Sequence, residues 1–159
     1  MRKGQIHQVF IYILTIIVVG LILLIGYKSF GGIMKKGCDV EKATFKSTLE
    51  SYISKYSSYG SFHMEPLKAP CAYQQICFVS SEKIGDSGFD SSNEIIKSSV
   101  KESIKNNIFI VKDVTDAIGF NEKIVVDNTG GIVCINNTNG YFRVNFEGLG
   151  RNVSISGVS

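Results

Sequence analysis

Residues 9–27, VFIYILTIIVVGLILLIGY, run for 19 positions without a charge, and Lys28 ends the run. As an α-helix rising about 1.5 Å per residue it is roughly 28 Å long, close to the hydrocarbon thickness of a bilayer, about 30 Å. In a water-soluble fold such a segment would need covering on every side, whereas lipid covers it directly. The run therefore predicts one transmembrane helix. A secretory signal has a shorter apolar region, about 7–15 residues, and a small-residue cleavage site. Ile25-Gly26-Tyr27-Lys28 is not such a site, so the helix is expected to be retained as an anchor in the lipid bilayer.

The chain beyond Lys28 is long enough for one small domain. Seventeen basic and 14 acidic residues give a net charge of +3. They are mixed along the chain rather than gathered into a basic stripe, which argues against nucleic acid as a partner. Basic residues flank the helix on both sides, Arg2 and Lys3 before it and Lys28, Lys35 and Lys36 after it, so charge does not orient it. Two other features do. Cys38, Cys71, Cys77 and Cys134 all follow the helix, and an even count in a small exported domain predicts disulfides. Two glycosylation triplets, at Asn136 and Asn152, lie on the same side. The expectation is a cell-membrane protein with its N-terminus cytoplasmic and its C-terminal domain extracytoplasmic. The expected divisions are a basic leader, 1–8, the transmembrane helix, 9–27, a hinge around Gly31-Gly32, 28–38, and the domain, 39–159.

Free thiols and a zinc site are the alternatives to disulfides. The nearest cysteines, Cys71 and Cys77, are spaced C-x5-C, wider than the usual close pair of a zinc site. The preferred pairing is Cys71–Cys77 with Cys38–Cys134. If Cys71 and Cys77 share an extended strand they are too far apart to bond. Cys38 would then pair with one of them and Cys134 with the other.

Asp39 is placed to cap a second helix. There Phe45, Leu49, Tyr52, Ile53 and Tyr56 fall at steps of three and four, one apolar stripe ending near Gly60. Residues 61–67 read as a strand broken by Pro66, with Phe62 and Met64 on its apolar side. Residues 76–80 and 108–111 read as strands. Ser91-x-x-Glu94 resembles a capping box for a short helix with Ile96, Val100 and Ile104 on its apolar side. The C-terminal third reads as an antiparallel meander: 123–127, 132–136, 141–147 and 152–156. In the third of these Phe142, Val144 and Phe146 alternate with Tyr141, Arg143, Asn145 and Glu147. The predicted class is α+β: an N-terminal transmembrane helix, then a second helix packed on a mostly antiparallel β-sheet head with one short inserted helix.

Ahead of the apolar run stands Arg2-Lys3-Gly4-Gln5. This resembles the class III signal peptide of archaeal type IV pilin-like proteins, in which a basic tail precedes a glycine. The resemblance implies cleavage between Gly4 and Gln5 by a prepilin-type peptidase, then a long apolar helix and a β-rich head. It covers about the first 27 residues by motif. One position departs from the pattern. Val9 stands where many pilins carry a glutamate that helps subunits enter the filament. The implied partners are copies of this chain or other pilin-like subunits, joined through the apolar helix. A lone tethered binding domain is the alternative.

No catalytic constellation, metal site or cofactor site is predicted. His7 and His63 cannot be paired by sequence. Asp86, Asp90 and Glu94 do not match a calcium loop. Gly148-x-Gly150 lacks the following helix of a dinucleotide site.

Overall fold

Helix α1 spans Gln5–Lys55 as one element in a computed structural model of the protein. The structure describes residues 5–157, apart from the side chains of 5–8 and 29–36. Residues 28–38, expected to act as a hinge, lie within this helix. Asp39, expected to cap a second helix, sits inside this one. Glycine costs a helix only about 1 kcal/mol per residue, and no proline occurs before Pro66 to remove a ladder hydrogen bond. The chain divides into two compact units, Met1–Val40 and Glu41–Ser159.

Within the second unit, the last turns of α1 supply the core. Phe45, Leu49, Ile53 and Tyr56 are buried, as the stripe predicts. Phe45 meets Phe142 edge-on with ring centroids 6.1 Å apart, and Tyr52 meets Phe146 the same way at 6.1 Å. Such pairs add about 0.5–1.5 kcal/mol beyond the area they bury.

Eight strands form two four-stranded sheets. The first has the order β1 (Phe62–Lys68), β7 (Tyr141–Gly148), β8 (Val153–Gly157), β5 (Ile124–Val125). The second has the order β4 (Thr115–Gly119), β3 (Ile108–Val111), β2 (Gln75–Val79), β6 (Ile132–Asn136). Every pairing is antiparallel except β5 with β8. The α+β class is as read from the sequence. The meander is not. β6 leaves it to pair with β2, and β5 lies parallel to β8.

One core joins α1 to the inner faces of both sheets, including Leu67, Phe78, Ile110, Phe142 and Phe146. A second cluster lies on the other face of β2–β3. There Cys77, Val79 and Phe109 pack with Phe89 and with Ile96 and Val100 of helix α2 (Glu94–Lys101). The cap of α2 is Asn93, whose side chain accepts from the backbone N–H groups of Ile95 and Ile96. Ser91, expected as the cap, instead accepts from the Asn93 N–H.

Strand β1 differs from its reading at Pro66. It continues through Pro66, which is tolerated because β1 is an edge strand and needs no outward N–H. The side that carries Phe62 and Met64 is the outer one. Phe62 and Met64 are exposed, while the inner positions hold His63, stacked on Tyr56 at 4.1 Å, and Glu65, which accepts the Tyr56 hydroxyl.

Candidate functional site

In the first unit, Val9–Lys28 is long and apolar enough to cross a membrane, and none of it is buried within the chain. The Thr15 hydroxyl donates to the Ile11 carbonyl at 2.8 Å, so the run's one hydroxyl-bearing aliphatic side chain is satisfied without water. Tyr12 and Tyr27 are exposed, about 22 Å apart along the axis. Nothing lies within 4 Å of a Cβ built at Gly20 or Gly26. Of the candidate processing site, Gly4 lies outside the described residues, and Gln5 is the first residue of α1.

The four cysteines are all oxidised. Cys77 on β2 bonds Cys134 on β6, with Cα atoms 4.0 Å apart. Cys38 and Cys71 are likewise disulfide-bonded. The expected Cys71–Cys77 and Cys38–Cys134 pairs are thus overturned. Cys77 and Cys134 are direct register partners across β2–β6, and that adjacency brings their side chains together.

A cluster of polar groups links α1 to β4: Lys42, Tyr73 and Asp116. The Lys42 ammonium donates to Asp116 Oδ2 at 2.6 Å and lies 5.1 Å from the centre of the Tyr73 ring. The Tyr73 hydroxyl donates to the same carboxylate oxygen. Lys42, then Tyr73, holds the Asp116 carboxyl below its ordinary range. Asp116, then Tyr73, raises Lys42. Burial, then the hydrogen bond to Asp116, raises Tyr73. The arrangement clamps α1 to β4.

The other sequence candidates are scattered. His63 stacks on Tyr56. Asp86 accepts from Lys83 and from the Gly88 N–H, and Asp90 pairs with Lys97 at 3.0 Å. Among the described residues no three His, Cys, Asp or Glu side chains come together as a metal site. Asn136 is exposed at the end of β6, its amide oxygen accepting from Gln75. Asn152 is half-buried in the turn before β8, its carbonyl accepting from Leu149 N–H. Gly148 ends β7 rather than making a nucleotide loop. A Cβ there would lie 1.9 Å from the Ser58 carbonyl oxygen, so glycine is required by close packing.

The outward surface of the head carries two apolar grooves that sequence reading did not find. One, of about 470 Å³, is lined by Met64, Pro66, Thr138, Asn139, Tyr141 and Arg143 on the outer side of β1–β7. The other, of about 440 Å³, lies between α2 and β3–β4, among Glu94, Ile95, Glu102, Ile104, Phe109 and Ala117. Both depend on tertiary placement. The outer face of β1 exposes Met64, and α2 projects Ile95 away from the core.

No family model, curated protein or solved structure matches the chain.

Proposed function

We propose that this chain is a single-pass, membrane-anchored cell-surface protein. In this reading it acts as a pilin-like structural or assembly subunit that displays an extracytoplasmic β-rich head. The observation that carries the reading is the 20-residue apolar stretch Val9–Lys28, unburied within the chain, on the helix whose last turns form the core of the α+β unit. Oxidised cysteines throughout that unit support an oxidising compartment. The Lys3-Gly4-Gln5 motif supplies the resemblance to archaeal class III leaders. A helix of this kind has two environments open to it, lipid before assembly and neighbouring copies of itself after. Gly20 and Gly26 leave room for close approach. The proposal involves no catalytic activity.

The test is the surface fraction sheared from producing cells, imaged by electron microscopy with antibody against the head. Labelled filaments that vanish on deletion of the gene are expected. Apolar Val9, where pilins often carry glutamate, favours the second reading, a tethered binding domain. That reading predicts the protein in membranes and no labelled filaments.

A further inference from the structure

We propose that the head of one copy binds the head of the next by setting the β1–β7 groove of one against the α2–β3–β4 groove of the other. The inference rests on the assembly reading above and supplies its contact outside the membrane. The two grooves hold about 470 and 440 Å³. Both have apolar walls with protruding side chains: Met64 and Tyr141 are 52% and 45% exposed, Ile95 and Ile104 52% and 45%. Their charges are opposite. Arg143 is the one charged residue lining the first groove, and Glu94 and Glu102 are the charged residues lining the second.

These charges are also available. Arg143 and Glu102 form no ion pair among the described residues. Glu94 has only a 3.7 Å contact with Lys97, whose nearer partner is Asp90 at 3.0 Å.

The grooves share no residue. A symmetric contact would set Arg143 against Arg143, or the glutamates against the glutamates, and like charges at an interface are penalised. Joining unlike grooves pairs guanidinium with carboxylate and apolar wall with apolar wall. Such a contact is heterologous. It leaves one groove free at each end, and it repeats through successive copies as a filament or ring.

The test places a benzophenone amino acid at Tyr141 in the full chain, expressed in its own membranes from isotopically light and heavy copies. A mixed light–heavy product is expected, linking position 141 of one copy to the peptide holding Ile95–Ile104 of another. Arg143→Glu should lower its yield about tenfold, a change of about 1.4 kcal/mol. Adding Glu94→Arg and Glu102→Arg should restore it to within about twofold. Retention of the Cys77–Cys134 link in each variant reports that the head is folded. Links from 141 to 141, links to a different protein, or monomer alone would each overturn the inference. A second probe at Leu21 separates it from the assembly reading. Copies joined through Leu21 but not through 141 leave assembly standing and remove the head contact, and no product from either probe removes both.

Discussion

Cys77 and Cys134 face each other across β2 and β6 and are joined by a disulfide, with their Cα atoms 4.0 Å apart. The bond closes a separation of 57 residues and ties an edge strand to the strand that borders both clusters. In the chain-entropy description a loop of that length is worth about 4 kcal/mol. Cys77→Ala with Cys134→Ala is expected to lower the stability of the head by about that amount in urea unfolding, and an unchanged midpoint would contradict it. Non-reducing peptide mapping should find the 77–134 link and no 71–77 link.

Gly148 lies under the turn that follows α1. A Cβ at this position meets backbone oxygens of Ser58 at 1.9 Å and Tyr56 at 2.5 Å. Backbone cannot move aside as a flexible side chain can. Gly148→Ala is therefore expected to cost about 3 kcal/mol, at the upper end for overpacking. Gly60, with nothing within 4 Å but a φ of +76°, should lose only about 1 kcal/mol on the same change. Thermal unfolding of the two variants side by side checks the contrast.

Removing the Phe142 ring takes away its edge contact with Phe45 and opens the main core. Phe142→Ala should destabilise by about 3–5 kcal/mol. The neighbouring outward residue Arg143 should tolerate Arg143→Ala within about 0.5 kcal/mol. Equal losses at 142 and 143 in denaturant titrations would contradict the assignment of the strand's two faces.

The Lys42–Asp116 pair gives the head a defined pH response. The Asp116 carboxyl is lowered by Lys42 and Tyr73. Its contribution is therefore present above the unfolded value, near pH 4, and is lost as pH falls through the lowered folded value. Lys42 is raised, first by Asp116. Its contribution is complete below about pH 10.4 and is lost as pH rises through the raised value. Both groups are partly exposed, so the pair is worth about 0.5–1 kcal/mol. Asp116→Asn should cost that much at pH 7 and less as acid protonates the wild-type carboxyl. A penalty that stays constant down to pH 2 would count against the pair.

The legible parts of this fold were those where one neighbour decides the pattern. Phe45, Leu49, Ile53 and Tyr56 recur at helical spacing because one core covers them, and β7 alternates because one face meets that core and the other water. The hidden parts depend on several neighbours at once. Residues 115–119, TDAIG, form β4 without an apolar alternation because β3 supplies the pairing. His63 and Glu65 take inner positions because Tyr56 offers both a ring and a hydroxyl. Strand partners set the Cys77–Cys134 pair, which spacing along the chain cannot express. The grooves were unreadable for the same reason: Met64 and Tyr141 line one groove only through the β1–β7 pairing, and Ile95 and Phe109 line the other only through the docking of α2.

The most direct test of the central claim is the mass of the mature N-terminal peptide recovered from membranes. Processing of the pilin type predicts a chain that begins at Gln5, with the first four residues, Met-Arg-Lys-Gly, removed. A chain in membranes that still begins at Met1, in cells that contain a prepilin-type peptidase, would contradict it.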